Sequence, residues 1–231
     1  MSLKLLPALL ASLVILGGCA QNPVAKHDVA PERQDPDFLV AKNARADELY
    51  VNPKSAAGAA AFRKVFIAPV NLSKIQIIQP EGVNPDGQWQ VTDIEDGILQ
   101  NALVSEFATA LSFESAYNIV NSRGEADMVI NTTIVAIHPN STRAQVDAGA
   151  KSGGAITVSL ALVNAATGNV MVRSVDTKST DNIWAFNQVD NDSPAVNLIF
   201  RAWGNNMRRG LLHLQGRSSD PLAQTLELKE K

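Results

Sequence analysis

The residue types that carry most enzyme chemistry are sparse in this chain of 231 residues. It contains one cysteine, Cys19, and three histidines, His27, His138 and His213. A hydrolase needs a nucleophile with a general base close by, and the neighbours of Cys19 are glycine and alanine, which are not bases. A zinc site needs histidines and cysteines at short ligand spacings, which these four residues do not have. The sequence therefore predicts a protein that is not an enzyme and that uses no metal or other cofactor.

The acidic residues and the overall charge also give no sign of a catalytic or nucleic-acid site. Asp93, Glu95 and Asp96 are close together, but they fall in the first turn of a predicted helix, where carboxylates stabilise the helix dipole. The chain contains neither a Gly-x-Ser-x-Gly nucleophile motif nor a Walker phosphate loop. It has 23 acidic and 20 basic residues, and its formal net charge is -3. This balance argues against a nucleic-acid partner, which would select a strongly basic surface.

Cys19 has the sequence context of a lipid anchor. Residues 1–18 carry one positive charge, at Lys4, and then an apolar run of about a dozen residues, which suits a signal-peptide core and is too short to span a bilayer. The residues Leu16-Gly17-Gly18-Cys19 resemble the lipobox of bacterial lipoproteins. The resemblance implies cleavage before Cys19, a diacylglycerol on its sulfur and a further acyl chain, such as palmitate, on its amine. Several buried acyl chains anchor a protein firmly where one chain would not.

The segment that follows Cys19 is predicted to connect the membrane to a folded domain. Ala20 stands where aspartate would signal retention, which in enteric-type bacteria implies sorting to the outer membrane, with the protein facing the periplasm. Residues 19–61 are predicted to be the lipidated N-terminus and a flexible tether, because they contain four prolines, scattered charge and a run of small residues at 55–61. Within them, the stretch 37–50 is predicted either to form a helical turn or to dock on the domain.

Residues 62–216 are predicted to form one α+β domain, followed by a loose tail at 217–231. Five segments are predicted strands because they are rich in β-formers or alternate apolar and polar residues: 62–70, 117–121, 128–138, 155–164 and 170–178. In the connection 71–90, Ile75, Ile77 and Ile78 are predicted to add a short strand or to pack beneath the sheet.

Two further segments are predicted to be amphipathic helices. The first begins with a capping box at Thr92 and Glu95 and carries one apolar stripe as far as about residue 111. The second begins at Ser193-Pro194, carries a long apolar stripe and ends at Gly216. The order of the elements predicts a mostly antiparallel sheet of about five strands, with both helices on one face.

Several stretches of this domain resemble an uncharacterised family of proteobacterial lipoproteins, classified as a domain of unknown function. The resemblance covers roughly residues 45–216 and is carried by IAPV at 67–70, ADMVINTTIVAI at 126–137, the glycine pair at 153–154 with the turn at 166–168, and RAWGNNMRRGL at 201–211. The element order is also similar to a domain shared by the N-terminal part of TolB, curli secretion lipoproteins and lipoprotein activators of peptidoglycan synthases. Those proteins bind partners, so the resemblance implies a binding role.

Three groups of residues are candidate partner contacts. Arginines on or beside the last helix form either a solvated face or a contact with an anionic glycan, lipopolysaccharide or a protein: Arg201, Arg208, Arg209 and Arg217. Trp184 and Phe186 lie in a polar loop and form either a lid over the sheet edge or an interface. The polar loop 142–153 is the third candidate.

Taken together, these features predict an outer-membrane-anchored lipoprotein that acts as a non-enzymatic binding or accessory module in the periplasm. Its predicted partners are the membrane, through lipid on Cys19, and an envelope protein or glycan. The alternative function is a carrier of a small ligand or lipid, with an apolar pocket between the helices and the sheet.

Overall fold

The computed structural model of the protein describes residues 35–42, 44–83, 87–150, 153–183, 195–218 and 228–229. Strands β1 to β9 are, in chain order, Leu39–Ala41, Glu48–Val51, Lys64–Ile67, Gln76–Ile77, Asn118–Ile119, Met128–Pro139, Gly154–Asn164, Val170–Thr180 and Leu228–Lys229. Helices α1 to α4 are Pro53–Ala56, Asp93–Ser112, Arg143–Asp147 and Ala195–Leu214.

The described strands form one mixed sheet in the order β5-β3-β6-β7-β8-β2-β1-β9, with β4 also paired to β6. Strands β6, β7 and β8 are antiparallel neighbours, whereas β3 is parallel to both β5 and β6, and β4 is parallel to β6. The prediction of an α+β domain is confirmed, but the predicted sheet of about five mostly antiparallel strands is wrong. Parallel neighbours require a crossover connection, and helix α2 supplies the one between β3 and β5.

Two of the additional strands, β1 and β2, come from the segment that was predicted to be a tether. They pair with each other, and β2 also pairs with β8, where Tyr50 lies opposite Arg173. Phe38 and Tyr50 are buried and pack together, so the described part of the stretch 37–50 docks on the domain and forms no helical turn. The predicted tether therefore extends too far, because strands of three or four residues show too little alternation to be told from a linker. The predicted loose tail likewise contains β9, which pairs with β1.

Helices α2 and α4 cover the same face of the sheet, as predicted. Their buried side chains share one core with the strands, which includes Leu103, Phe107 and Leu111 of α2, Ile199, Phe200 and Trp203 of α4, and Val65, Met128, Ile130 and Val158 of the sheet. The capping box is present, because the Glu95 backbone N–H donates to the Thr92 hydroxyl at 3.3 Å and the Thr92 backbone N–H donates to the Glu95 carboxylate at 2.9 Å. The predicted N-cap of α4, Ser193-Pro194, lies outside the described residues.

Helices α2 and α4 run parallel and are in close contact at Gly204. Arg201 of α4 meets Glu106 of α2, and one turn further along both helices Gly204 meets Ala110. A Cβ atom on Gly204 would lie 2.8 Å from the Cβ of Ala110, a distance that side chains do not tolerate. Glycine at this position therefore sets the spacing of the two helices.

Candidate binding surfaces

Three arginines from separate parts of the chain converge at one end of the helical layer. Arg63 precedes β3, Arg208 lies in α4, and Arg217 follows α4, yet the charges of all three act on the hydroxyl of Tyr117. The guanidinium carbon of Arg208 is 5.0 Å from the ring centroid of Phe113, and that of Arg217 is 5.5 Å from the ring centroid of Tyr117. We call the surface formed by Arg63, Arg208, Arg217 and Phe113 the arginine surface.

Hydrogen bonds from Gln215 hold this surface in place. The Tyr117 hydroxyl donates to Oε1 of Gln215 at 3.0 Å, while Nε2 of Gln215 donates to the carbonyl oxygen of Ala59 at 2.7 Å. Arg217 donates from Nη2 to the carbonyl oxygen of Ala116 at 3.1 Å. The end of α4 is thereby tied to the segments that lead into β3 and β5, so the arginine surface is preorganised.

The turn after α2 presents an aromatic side chain at the edge of this surface. Phe113 is 54% exposed, although large apolar side chains usually favour the core. The next two residues, Glu114 and Ser115, have φ angles of 54° and 56°. Left-handed backbone costs a non-glycine residue about 1 kcal/mol or more.

Arg208 also has an unused hydrogen-bond donor. Its Nε is buried and has no hydrogen-bond partner within the described part of the chain.

The arginine surface can be tested through the ionisation of Tyr117. Burial raises the pKa of the Tyr117 hydroxyl to about 12, although the charges of Arg217, Arg63 and Arg208 act to lower it. Because the folded pKa lies above the usual value of about 10, this group contributes stability below pH 10 that is lost as the pH rises through 12. We expect Arg217→Met to raise the pKa of Tyr117 further, since one favourable charge is removed.

Ultraviolet titration of the phenolate measures this shift, with Tyr117→Phe identifying the signal among the two tyrosines of the chain. A Tyr117 pKa that does not respond to Arg217→Met would show that the arginines do not surround the hydroxyl.

The structure separates the arginines that the sequence grouped together. Arg201 donates from Nε to Oε2 of Glu106 at 2.7 Å and from Nη2 to Oε1 at 3.0 Å, and the hydrogen bond to Glu106 raises the pKa of Arg201. Arg201 therefore links α4 to α2. Arg208 belongs to the arginine surface, whereas Arg209 lies beside a groove on another side of α4. No residue pattern pointed to Arg63, Phe113 and Tyr117, because they are distant in sequence and only the fold brings them together.

The remaining predicted contacts have different outcomes. Trp184, Phe186 and the lipidation site Cys19 lie outside the described residues, so their roles remain predictions. The loop 142–153 contains α3, and its Arg143 lies 4.4 Å from the ring centroid of Trp89 and donates to Oε1 of Glu95 at 3.1 Å. These contacts fasten the first part of the loop to the start of α2.

A groove lies between α4 and the sheet, where strands β2, β7 and β8 meet the helix. Its volume is about 200 Å³, and its walls are mostly apolar, with Leu160 and Val172 on the sheet side and Met207 and Leu214 on the helix side. It has the location that the predicted carrier would require. Arg45, Arg209 and His213 also line it, as does the buried carboxylate of Asp176.

The described residues offer neither a metal-binding cluster nor a membrane-spanning helix. These residues include no cluster of three or more histidine, cysteine, aspartate or glutamate side chains that could hold a metal ion. They also include no helix with the length and apolar character needed to cross a membrane. The features that the described residues do offer are a cationic surface with an exposed aromatic ring and an apolar groove, both of which are typical of a binding domain.

Residues 35–207 match the model of a family described as "Protein of unknown function (DUF3313)", and the chain belongs to this family. This membership confirms the resemblance to an uncharacterised family that the sequence motifs indicated. A comparison with curated proteins gave no match.

Among solved structures, the chain is similar to the following three bacterial proteins at 10% sequence identity. They are the PelC dodecamer from Paraburkholderia phytofirmans (63% of this chain, 88% of that chain, TM-score 0.38), lipoprotein GNA1162 from Neisseria meningitidis (63%, 97%, 0.34) and the LpoB C-terminal domain from Salmonella enterica (55%, 95%, 0.26). TM-scores below 0.5 are too low to assign a shared function.

Proposed function

We propose that this protein is a lipid-anchored, non-enzymatic binding module of the bacterial envelope, which contacts an acidic envelope protein through the arginine surface. The observation that carries the proposal is the convergence of Arg63, Arg208 and Arg217 around Tyr117, with the exposed ring of Phe113 beside them. Cys19 is the proposed lipid anchor, placed in the outer membrane with the domain in the periplasm.

The chemistry of the surface supports an anionic partner with an apolar contact point. Guanidinium groups bind carboxylates through paired hydrogen bonds, and arginine and aromatic residues dominate the binding energy of protein interfaces. Phe113 favours a protein over a glycan, because it offers an apolar anchor next to the charges. The hydrogen bonds of Gln215 fix the surface before binding, which lowers the entropy cost of association.

The anchor supports this function by limiting the volume that the domain searches. Residues 19–34 remain as the proposed tether and could span at most about 55 Å when fully extended. A domain held within such a distance of the membrane meets envelope partners at a high effective concentration, so a weak contact suffices. The structure describes the chain from residue 35, and β1 begins at Leu39. The proposed tether is therefore shorter than the segment 19–61 that the sequence predicts.

The proposal predicts a crosslinked partner that requires both the anchor and the arginine surface. We expect one envelope protein to be captured from living cells with the full-length chain, and its yield to fall several-fold with Cys19→Ser or with the pair Arg63→Glu and Arg208→Glu. Lys74→Glu is the matched control, because Lys74 is exposed on the turn before β4, away from the arginine surface. Trp184→Ala tests the predicted contact in the 184–186 loop separately.

Thermal melting of each variant establishes that it is folded. An equal yield from the charge-reversed variant would contradict the proposal. Recovery of an anionic glycan with no protein would contradict the proposed protein partner and would identify a glycan as the ligand of the arginine surface.

A further inference from the structure

One position on the α4 side of the groove, Gly210, lacks a side chain. Trp203, Met207, Gly210 and Leu214 follow one another at helical spacing, and all four line the groove. A Cβ atom on Gly210 would have no heavy atom of the described residues within 4 Å, in contrast to Gly204, where packing excludes a side chain. Glycine makes a helix less stable than alanine does, so packing against the described part of the chain gives no reason for glycine at position 210. The empty space that it leaves is therefore the feature to explain.

The polar groups of the groove favour an anion at its rim. Arg45, Arg209 and His213 bring cationic or ionisable nitrogen atoms, whereas Asp176 is the one carboxylate among the described lining residues. The Asp176 carboxylate is buried and already accepts from Nε1 of Trp203 at 2.7 Å. A guanidinium has five N–H donors, so Arg45 and Arg209 can each hold an anion while keeping the contacts that they make within the protein. The groove thus combines apolar walls with a cationic rim.

We propose that this groove binds a single acyl chain that ends in an anionic head group, as in a fatty acid. A cavity of about 150 Å³ accepts a six-carbon ring, so the volume of about 200 Å³ suits on the order of eight chain carbons. A second acyl chain would exceed this volume. The inference rests on the groove alone and goes beyond the partner contact proposed above, because the arginine surface does not line the groove.

The first test is a chain-length series measured by calorimetry. The protein is residues 19–231 with Cys19→Ser, purified without detergent, and the ligands are sodium hexanoate, octanoate, decanoate and dodecanoate. We expect saturable binding to one site, with affinity rising about fourfold for each methylene that the groove buries and levelling off beyond about eight carbons. Absence of saturable binding, or affinity that keeps rising to dodecanoate, would overturn the proposal.

The second test uses the two substitutions that Gly210 permits. Gly210→Phe places a ring in the groove and is expected to weaken octanoate binding at least tenfold, whereas Gly210→Ala adds one methyl group and leaves most of the volume open. Octylammonium, which has the same chain with a cationic head, is expected to bind at least tenfold more weakly than octanoate, and the pair Arg45→Glu and Arg209→Glu should remove this preference. Unchanged octanoate binding by Gly210→Phe, or equal binding of the two head groups by the unsubstituted protein, would overturn the proposal.

Two controls separate this inference from the proposed function. The variant with Arg63→Glu and Arg208→Glu should bind octanoate like the unsubstituted protein even if its envelope partner is lost. Conversely, Gly210→Phe should keep the crosslinked partner. Extraction of intact phosphatidylglycerol from vesicles with the same dependence on Gly210 would identify a diacyl lipid as the ligand and overturn the assignment of a single chain.

Discussion

Replacement of Asp176 by alanine is expected to lower the free energy of unfolding by about 3 kcal/mol. The carboxylate is 5% exposed and connects β8 to α4 and to the residue before β2, because it accepts from Nε1 of Trp203 at 2.7 Å, from Nζ of Lys178 at 2.9 Å and from the backbone N–H of Asp47 at 3.2 Å. Its removal leaves the indole N–H of Trp203 buried without an acceptor. Denaturant unfolding of Asp176→Ala beside the unsubstituted protein measures the loss.

Trp203→Phe supplies the matched comparison. It removes the indole donor and keeps one six-membered aromatic ring, and the carboxylate retains Lys178 and Asp47, so we expect a loss of about 1–3 kcal/mol from the missing hydrogen bond and the small cavity. In the double variant the two losses should not add, because the hydrogen bond between Asp176 and Trp203 is broken only once. Additive losses would show that this bond contributes nothing to stability and that the carboxylate acts through its other contacts.

Replacement of Gly204 by alanine is expected to lower the free energy of unfolding by about 1–3 kcal/mol, even though alanine is the better helix former. The added Cβ would lie 2.8 Å from the Cβ of Ala110 and 3.4 Å from the carbonyl oxygen of Glu106, so the two helices must move apart. Such a movement loosens the packing of Phe107 and Phe200, which are fully buried in the core. Denaturant unfolding measures the change.

Gly210 on the same helix is the internal control. Its Cβ would meet no neighbour among the residues that the structure describes, so Gly210→Ala should raise stability by about 0.5–1 kcal/mol through helix propensity alone. Ala110→Gly should cost less in the Gly204→Ala background than in the unsubstituted protein, because it removes the clashing methyl group. If both glycine substitutions had the same effect, close packing of α2 on α4 at Gly204 would be ruled out.

The long elements could be predicted from the sequence because their signals are local. The capping box at Thr92 and the apolar stripes of α2 and α4 depend on residues three or four positions apart, and each helix covers 20 residues. Strands β6, β7 and β8 are 11 or 12 residues long, which gives their patterns enough length to be recognised. The placement of α2 and α4 on one face of the sheet follows from the single apolar stripe that each helix carries.

The short strands and the parallel pairings could not be predicted in the same way. Strands β1, β2 and β9 have two to four residues each, and they are held by pairing with distant partners, such as β2 with β8. The equally short β4 lies where the sequence predicts either a short strand or packing beneath the sheet, and the structure shows the strand. The parallel pairing of β3 with β6 depends on how α2 packs, which no local pattern encodes. At these strands, tertiary contacts determine the structure more than the intrinsic β-propensity of the residues does.

The candidate sites also combine residues that local sequence signals indicate with residues that only the fold brings together. Arg208 and Arg217 could be suggested from the sequence because they are near the same helix, whereas Arg63 and Phe113 join them only through the fold. Gly210 stands at helical spacing from Met207 and Leu214 in the sequence, but the sequence does not predict a groove beside it. The groove forms only in the folded chain, where β2 and β8 lie opposite α4. Residues that are distant in sequence give no pattern before the chain folds.

Site-specific photocrosslinking in living cells tests the proposed function most directly. A photoreactive residue in place of Phe113 lies at the arginine surface, and one in place of Lys74, which is exposed on the turn before β4, serves as the control. The proposed function predicts one envelope protein crosslinked from position 113, not from position 74, and lost with Arg63→Glu and Arg208→Glu. The same crosslink from both positions, or one from position 113 that survives charge reversal, would contradict binding through the arginine surface.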